Sequence, residues 1–327
     1  MTKKRIVSGM RPTGRLHLGN LFGALANWKN LQDDYDCFFF VADWHALTSD
    51  YADTEDLRAY VKEMLIDWLS VGLSRDKATM FIQSHVKEHA ELFVLLSTIS
   101  PLPWLERNPT YKEQKAQIAN RDLSTYGFLG YPVLQAADII IYKADSVPVG
   151  IDQLPHVELT REIARRFNHF YGSLFPIPDP ILTNIPKLLG IDGRKMSKSY
   201  NNALYLSDKP ADIASKVSQM VTDPQRARRK DPGDPNVCNV FAFHKLFSKA
   251  ETIQRVDAEC RAAEIGCVEC KKIMAERLAT FLAPIREKRE YYENHQEEVA
   301  DILREGTEKA RAVARETMEE VRSAMKI

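Results

Sequence analysis

Two patterns of apolar residues alternate along the first half of the chain. Short uninterrupted apolar runs, such as residues 37–42, are typical of strands that are buried on both faces of a parallel sheet. Between these runs, apolar residues recur every three or four positions, as they do from Leu57 to Trp68 after a start at Thr54, and this spacing predicts helices with one buried face. The alternation predicts an α/β fold built on a doubly wound parallel sheet, whose ligands bind beyond the carboxyl ends of the strands.

Four segments have the composition of sheet strands, namely residues 5–8, 37–42, 79–83 and 147–150. The helix after the first strand begins near His17 and continues to Leu31, and the helix after the fourth carries the apolar residues from Leu159 to Phe167. Each strand is therefore expected to be followed by a helix, because parallel strands need a crossover connection.

The second half of the chain reads as helical. Asp208 and Pro210 open a helical region, a long helix begins at Val268, and residues 307–325 carry an apolar stripe. We therefore predict a Rossmann-like domain at residues 1–205, with an insertion at about 85–130, and an all-α domain at 206–327 whose last helix packs back on the first domain.

Composition adds few constraints. The 327 residues are 44% hydrophobic and 28% charged, which is ordinary for a globular protein. Lys and Arg together number 45, as do Asp and Glu, so a nucleic-acid partner must be held by local basic patches. The chain shows neither an apolar signal segment nor a membrane-spanning stretch, and we expect a cytoplasmic protein without a membrane partner.

A polar loop with two lysines is the first candidate for chemistry: Gly193-Arg194-Lys195-Met196-Ser197-Lys198-Ser199-Tyr200. Two ammonium groups among small hydroxyl residues suit a polyphosphate, although such a loop is also typical of a solvated turn. A second anion site is predicted at His17-Leu18-Gly19-Asn20, where a helix begins and its free N–H groups face outward. Taken alone, a histidine such as His17 is more often a helix-entry residue that binds no ligand.

Tyr131, Gln135 and Asp138 share one face of a predicted helix, because they stand at i, i+4 and i+7. Pro132 is expected to lie in the first turn of that helix. A carboxylate among Ala136, Ala137 and the isoleucines that follow needs a partner, which is either a neighbouring basic group or a ligand. An aromatic ring with one N–H donor, such as indole, fits such a pocket.

Four of the five cysteines lie in the second half with 21, 6 and 2 residues between them, and we call Cys238, Cys260, Cys267 and Cys270 the four-cysteine set. Two thiols in C-x₂-C and two more can hold zinc or a 4Fe-4S cluster, and unligated buried thiols are the third possibility. Cys37, inside an apolar strand, is expected to be a core residue. A run of basic residues precedes the set and is expected either to contact RNA phosphates or to form a solvated loop: Arg226, Arg228, Arg229 and Lys230.

The pair formed by His17–Asn20 and Lys195–Ser199 resembles the paired motifs of class I aminoacyl-tRNA synthetases. Gly150-Ile151-Asp152-Gln153 resembles the tyrosyl and tryptophanyl branches, and Ala136-Ala137-Asp138-Ile139 resembles the tryptophanyl branch in particular. The likeness extends over nearly the whole chain, although Arg11, Gln135 and Ile151 differ from common family choices.

The resemblance implies a ligase that activates L-tryptophan with ATP and Mg²⁺ and transfers it to tRNA(Trp). His17, Lys195 and Lys198 would be catalytic, and Asp138 would accept the indole N–H in a tryptophan site with Tyr131, Gln135, His45 and Gln153. The implied ATP-binding residues are Arg11, Pro12, Thr13, Gly19, Asn20, Gly150, Ile151, Asp152, Leu188, Lys195, Met196, Ser197, Lys198 and Ser199.

Further expectations follow from the same resemblance. The insertion at about 85–130 would make homodimer contacts, with an exposed helical hairpin as the alternative, and the helical domain would receive the tRNA anticodon. The cysteine spacing resembles that of a subset of bacterial tryptophanyl enzymes, which favours a 4Fe-4S cluster over zinc. A tyrosyl-tRNA synthetase and a noncatalytic synthetase-like binding protein are the alternative functions.

Overall fold

One parallel sheet organises the computed structural model of the protein, which describes residues 3–109, 111–112, 122–182 and 188–327. Its strands are β1 (Arg5–Met10), β2 (Asp36–Val41), β3 (Ala78–Ile82), β4 (Ser146–Val149) and β5 (Asp179–Leu182), in the order β3-β2-β1-β4-β5. The Rossmann-like sheet and the four predicted strands are confirmed. β5 was not predicted, because it is a short edge strand that contains Pro180.

Helices flank the sheet and make up the second half of the described chain. They are α1 (Leu18–Asn20), a π-helical turn (Leu21–Leu25), α2 (Ala26–Leu31), α3 (Asp43–Asp50), α4 (Leu57–Val71), α5 (Glu88–Ser97), α6 (Leu102–Glu106), α7 (Tyr126–Ile140), α8 (Leu154–Tyr171), α9 (Pro210–Ser218), α10 (Asn239–Phe247), α11 (Ala250–Arg261), α12 (Cys267–Asn294) and α13 (Gln296–Met325). Short 3₁₀ turns lie at Gln83–His85, Ile151–Gln153, Lys198–Tyr200 and Pro235–Val237.

Several helix boundaries differ from the prediction. α4 begins at Leu57 and not at Thr54, and α13 begins well before Thr307. α7 begins at Tyr126, so the prediction that Pro132 lies in a first helical turn is wrong. Apolar spacing marks the buried face of a helix, but polar first turns leave no such mark. The strongly charged stretch 105–122 lies mostly outside the described residues.

The chain divides into two compact units. We call Met1–Gly14, Ala24–Ile185 and His295–Ile327 the sheet unit, and Arg15–Gly23 and Pro186–Asn294 the helical unit. The predicted catalytic and anticodon-binding domains, 1–205 and 206–327, are a functional division and stay a prediction. Among the described residues, no helix combines the length and the apolar composition that crossing a membrane requires.

The C-terminal helix α13 completes the sheet unit. Gly306 lies so close to β3 that a Cβ atom there would stand 1.9 Å from the carbonyl oxygen of Met80. Ala310, Ala314 and Val321 continue the buried stripe into the core of the unit. Arg322 also donates to both oxygens of Glu91 on α5 at 2.7 Å. The last helix therefore shares the core of the strands at the start of the chain.

The helical unit has its own packing. Phe22, in the π-helical turn, lies edge-on to Phe247 at 5.6 Å between centroids and stacks on Phe281 at 6.1 Å. Lys271 on α12 donates to the carbonyl of Ser218 at the end of α9, at 2.8 Å. The short segment 15–23 is thereby part of this unit, although the sheet unit surrounds it in sequence.

Candidate functional site

Asp138 on α7 is the centre of a buried polar cluster in the sheet unit. Its side chain is 1% exposed, and its two oxygens accept four hydrogen bonds. His45 Nε2 lies 2.7 Å from Oδ2, and His89 Nδ1 lies 2.6 Å from Oδ1. Gln83 Nε2 donates to both oxygens, at 2.7 and 2.8 Å. Of the two predicted kinds of partner for Asp138, a neighbouring group of the protein or a ligand, the first is therefore present in the structure.

The two histidines determine the charge of Asp138. Burial alone would raise the pKa of the carboxyl, but the nearby rings of His45 and His89 outweigh burial and hold the pKa below its usual value. Asp138 is therefore a carboxylate, and it can act only as an acceptor. A ligand that is recognised here must supply a hydrogen-bond donor.

The cluster continues beyond Asp138 to Tyr142. His89 Nε2 lies 2.7 Å from the Tyr142 hydroxyl, and both side chains are fully buried. Burial and the charge of Asp138 raise the pKa of Tyr142 well above its usual value, so the hydroxyl keeps its proton. With Nδ1–H directed at the carboxylate, Nε2 accepts from Tyr142, and the chain of hydrogen bonds fixes the ring of His89.

A second buried chain fixes Tyr131, one turn before Gln135 on the same helix. The Tyr131 hydroxyl lies 3.1 Å from His156 Nε2, and Asn108 Nδ2 lies 3.2 Å from His156 Nδ1. Burial lowers the pKa of His156 to about 4, so the ring is neutral at pH 7. Because Nδ1 accepts from Asn108, Nε2 carries the proton and donates to Tyr131. The hydroxyl proton of Tyr131 is then left for another acceptor.

A ligand N–H can reach Asp138 only if a present donor yields. A carboxylate offers about four acceptor sites, and four hydrogen bonds already reach it. His45 is the most exposed of the three donors, at 9%, while Gln83 and His89 are at 0%. The Oδ2 position held by His45 is therefore the one that is open to exchange.

Sequence reasoning found only part of this cluster. It named Asp138, His45 and Tyr131, and the rings of His45 and Tyr131 lie 6.5 Å apart. Gln83 and His89 were not among the predicted site residues. A histidine in an apolar stripe needs a polar partner, and this is the signal that identifies such residues.

Other predicted residues of the sheet unit make their hydrogen bonds outside the Asp138 cluster. The amide of Gln153 donates to Asp152 at 2.9 Å, and Ile151 is 72% exposed. Arg11 donates to Ser49 Oγ at 2.6 Å and to Asp50 Oδ2 at 2.7 Å, which ties the turn after β1 to α3. These residues lie after β1 and β4, at the carboxyl ends of neighbouring strands.

In the helical unit, backbone hydrogen bonds join the first signature motif to the segment that follows the lysine loop. Leu18 N donates to Leu204 O at 2.9 Å, and Leu206 N donates to Leu16 O at 3.0 Å. His17 caps α1, since its Nδ1 accepts from Asn20 N at 3.3 Å. Burial lowers the pKa of His17 to about 4, so this cap is neutral at pH 7.

Gly19 brings the lysine loop against the cap. A Cβ atom at Gly19 would lie 2.9 Å from the His17 ring and 3.7 Å from Met196 Cβ. Met196 is 5% exposed, whereas Lys195 and Lys198 on either side of it are exposed. The buried methionine anchors the loop and leaves both ammonium groups at the surface of the unit.

Asn202 shapes the lysine loop from within. Its Oδ1 accepts from Ser197 N at 2.8 Å, and its Nδ2 donates to Asp192 Oδ1 at 2.8 Å and to Lys195 O at 3.1 Å. The hydrogen bond from Asn202, with further ones from Arg194, lowers the pKa of Asp192 to about 2. Gly190 allows this approach, because a Cβ there would stand 2.3 Å from Asn202 Cγ. The predicted ATP residue Leu188 lies buried just before this turn.

The four-cysteine set lies together in the helical unit. Cys238, Cys260 and Cys270 pack around one apolar cluster that contains Phe241, Val256 and Ile265. Burial, together with the charges of the other three thiols, raises the pKa of the Cys270 thiol to about 12. Within the described part of the chain, no group of three or more His, Cys, Asp or Glu side chains is arranged to hold a metal ion.

The predicted basic run does not act as one surface. Arg226 Nη2 donates to the carbonyls of Arg229 at 3.0 Å and Ile265 at 2.7 Å, and its Nη1 lies 3.5 Å from Cys260 Sγ. Arg226 therefore braces the four-cysteine set. Arg228, Arg229 and Lys230 are exposed.

The fold and these two sites define a class of protein. A family described as "tRNA synthetases class I (W and Y)" matches residues 2–283, and the chain belongs to this family. The chain is 52% identical over 325 residues to a tryptophan–tRNA ligase of Thermotoga maritima, with 99% of each chain covered. It is 46% identical to the tryptophan–tRNA ligase of Aquifex aeolicus, with 99% of this chain and 100% of the relative covered.

Solved structures agree with the fold. A tryptophanyl-tRNA synthetase of Campylobacter jejuni, solved as a complex with ADP and tryptophan, is similar with a TM-score of 0.91 at 32% identity. The similarity covers 99% of this chain and 100% of that chain. A tyrosyl-tRNA synthetase of Archaeoglobus fulgidus, at 18% identity and a TM-score of 0.66, is similar in fold alone.

Proposed function

We infer that this chain is a tryptophan–tRNA ligase. It activates L-tryptophan with ATP to give tryptophanyl-adenylate and pyrophosphate, and it then transfers tryptophan to tRNA(Trp). One observation carries this conclusion: Gly19 of the first signature motif lies against Met196 of the second, in a chain whose relatives, matched over 99% of its length, are tryptophan–tRNA ligases.

In the activation step, a carboxylate oxygen of tryptophan forms a bond to the α-phosphorus of ATP as the bond to the leaving pyrophosphate breaks. The substrate carboxylate is already ionised, so no base of the protein is needed. Catalysis then consists of positioning and of stabilising charge on the leaving group. Lys195 and Lys198 supply positive charge from an anchored loop, and the neutral His17 caps the helix whose N–H groups face the phosphates.

We assign Mg²⁺ to the phosphates of ATP, where it shares their negative charge. The residues proposed to lie along ATP are Arg11, Pro12, Thr13, Gly19, Asn20, Gly150, Ile151, Asp152, Leu188, Lys195, Met196, Ser197, Lys198 and Ser199. Gly19 is the best supported of these by packing, since any side chain there meets the His17 ring.

Tryptophan is selected by Asp138. The indole N–H takes the acceptor position at Oδ2, and His45 moves aside within the pocket, where Tyr131, Gln135 and Gln153 are the other proposed contacts. An acceptor left unpaired by an analogue that lacks the N–H is costly, and this is a strong basis for selection.

A 4Fe-4S cluster on the four-cysteine set is proposed, with zinc as the alternative. The donor set fits, because Cys238, Cys260 and Cys270 pack around one apolar cluster and Cys267 completes a C-x₂-C pair with Cys270. The Arg226 guanidinium beside Cys260 supplies positive charge next to the thiolates that a cluster requires. The group would have a structural or tRNA-contacting role, and no step of the reaction passes through it.

Anaerobic purification with iron, sulfide and zinc analysis tests the cysteine assignment. Wild type and Cys37→Ser are expected to retain metal, and Cys267→Ser is expected to lose it. Cys37 is a matched control, because it is a buried thiol in β2, outside the set. Metal-free wild-type protein of unchanged stability would exclude both metals.

We further propose that the protein works in the cytoplasm as a homodimer, with dimer contacts in the insertion at about 85–130. Residues 206–327 are proposed to receive the tRNA anticodon. Of the basic run, Arg228, Arg229 and Lys230 remain suited to RNA phosphates because they are exposed.

ATP–pyrophosphate exchange across the amino acids, followed by charging of tRNA(Trp), tests the proposed function. Exchange that depends on tryptophan alone is expected. Exchange that depends on tyrosine would replace the assignment by the tyrosyl alternative, and absence of exchange with every amino acid would favour a noncatalytic binding protein.

A further inference from the structure

A second cavity lies in the sheet unit, bounded by α4, the turn after β3 and the first turns of α13. Its volume is about 580 Å³, which is within the range of sites for small molecules. Its lining is mainly apolar and consists of Asp43, Leu57, Arg58, Val61, Lys62, Leu65, Ile66, Ile82, Ser84, His85, Gln296, Val299, Ala300 and Leu303. None of these residues belongs to the tryptophan or ATP sites proposed above.

Two cations line the α4 side of this cavity. Arg58 and Lys62 stand four residues apart, so they share one face of the helix. Lys62 Nζ donates to Gln296 Oε1 at 2.8 Å, which leaves its charge unneutralised. Among the described residues that line the cavity, Asp43 is the one carboxylate, and its Oδ1 accepts from the backbone N–H groups of Trp44 and Ser84. The charge at the α4 side therefore favours an anionic group on an apolar body.

The wall of the cavity is shared with the Asp138 cluster. Asp43 Oδ1 joins two segments, since it lies 3.1 Å from Trp44 N and 3.0 Å from Ser84 N. Trp44 N also lies 3.2 Å from Gln83 Oε1. His45, which follows Trp44, donates to Asp138, and so does Gln83, which precedes Ser84. An occupant of the cavity thus touches the segments that set the donors of Asp138.

We propose that this cavity binds a small apolar carboxylate and that its occupancy changes the affinity for tryptophan. The binding part of the proposal stands on the cavity alone, and the coupling part rests on the proposed function of Asp138. Coupling between two sites is reciprocal, so a ligand that alters the segments 43–45 and 83–85 must alter binding at both.

The test uses 2-naphthylacetate as the probe and 2-naphthylacetamide as its neutral counterpart. Calorimetric titrations are made with saturating tryptophan, so that the probe is excluded from the indole pocket. Ala300→Trp places a bulky side chain at the exposed lining position on α13, and Ala312→Trp is the matched control on the same helix, at an exposed position that does not line the cavity.

Wild type and Ala312→Trp are expected to bind the acid, and Ala300→Trp is expected to bind it about ten-fold more weakly. Arg58→Gln combined with Lys62→Gln is expected to remove the preference for the acid over the amide. Equal affinity of Ala300→Trp and Ala312→Trp for 2-naphthylacetate would show that the acid does not bind in this cavity. An unchanged preference for the acid in the glutamine variant would overturn the ligand class.

Coupling is measured as the dissociation constant of tryptophan at increasing probe concentration. A change that occurs in wild type and Ala312→Trp but not in Ala300→Trp is expected. The same change in all three proteins would mean competition in the indole pocket and would refute coupling, as would no change in any of them. A protein that binds the probe but fails in tryptophan exchange would retain the cavity and lose the proposed function, so the two failures are distinguishable.

Discussion

At the scale of single residues, two buried histidines hold the side chains of Asp138 and Tyr131, which are proposed to contact tryptophan. His89 fixes Asp138 and is itself fixed by Tyr142, while His156 fixes Tyr131 and is itself fixed by Asn108. Asp138 and Tyr131 are thus each held by a histidine ring, and each ring is held in turn by a second hydrogen bond. Such support keeps an acceptor in place before the ligand arrives, and this lowers the cost of binding.

Asp138→Ala is expected to weaken tryptophan binding about 100-fold or more and ATP binding little, because the indole N–H loses its acceptor. Equilibrium binding of each ligand measures the two effects. Asp223→Ala is a matched control, since Asp223 is also a buried carboxylate but accepts from Gln225 N and Asp234 N in the helical unit. Equal losses for tryptophan and ATP in Asp138→Ala would contradict the assignment.

The neutral His156 predicts a pH dependence of stability. Its pKa is about 4 in the folded protein and 6.5 when unperturbed, so the unfolded chain binds more protons between these values. The contribution of His156 to the free energy of unfolding should therefore rise with pH by ~1.4 kcal/mol per pH unit between these two pKa values. Above this range the contribution should be constant.

Urea unfolding of His156→Gln from pH 4.5 to 7.5 checks this dependence. The variant should lose that part of the slope, whereas Tyr131→Phe removes the hydrogen-bond partner and should keep it. A slope in His156→Gln as steep as in wild type would show that the ring titrates in the same way in both states.

At the scale of elements, the lysine loop combines a fixed base with exposed charges. Met196 and Asn202 hold its backbone, and Lys195 and Lys198 extend from it. Its framework is polar and local, so the loop can change position without disturbing a large apolar core.

Lys195→Ala and Lys198→Ala should each lower the rate of adenylate formation by about 100-fold, with a smaller effect on tryptophan affinity. Pre-steady-state measurement of the adenylate separates these quantities. Lys230→Ala, an exposed lysine outside the loop, serves as the control. A normal rate with a raised Michaelis constant for ATP would mean that the lysines bind the ground state only.

Gly306→Ala should destabilise the sheet unit by about 2 kcal/mol or more, because the added methyl group meets the backbone of β3 and neither element yields easily. Thermal unfolding measures the loss. Gly127→Ala is the control on α7, where a Cβ would meet nothing within 4 Å and helix propensity favours alanine. Similar melting temperatures for the two variants would refute the close packing of α13.

The sheet and the main motifs could be predicted from the sequence, but the buried side chains that hold the site residues in place could not. The apolar runs identified β1 to β4 because buried parallel strands have few polar residues. The paired motifs identified the lysine loop and the start of α1. Gln83, His89 and His156 were missed because their partners lie 25 to 55 residues away in sequence, and periodicity reports only which face is buried.

At the scale of the whole molecule, neither unit is a continuous piece of chain. The sheet unit needs residues 295–327, which follow the whole of the helical unit, and the helical unit needs residues 15–23, which precede nearly all of the sheet unit. Each unit therefore depends on a segment that is remote in sequence.

Deleting residues 295–327 should leave the sheet unit unstable while the helical unit retains its structure. The deletion uncovers the core residues that Ala310, Ala314 and Val321 contact, and it exposes the edge of the sheet at β3. Hydrogen exchange on the truncated chain checks this, with loss of protection expected in β2 and β3. Protection equal to that of the full chain would show that α13 is dispensable.

The close packing of Gly306 on β3 also matters during synthesis on the ribosome, because this face of the sheet is covered only after α13 has been made. Strands β1 to β3 emerge before the helical unit, and the helix that covers them is made only after residues 186–294. Throughout that interval the nascent sheet presents an apolar face and an open strand edge, which are the features that chaperones bind and that promote aggregation. Codon changes that slow translation of residues 186–294 should therefore lower the yield of native protein without altering a single amino acid.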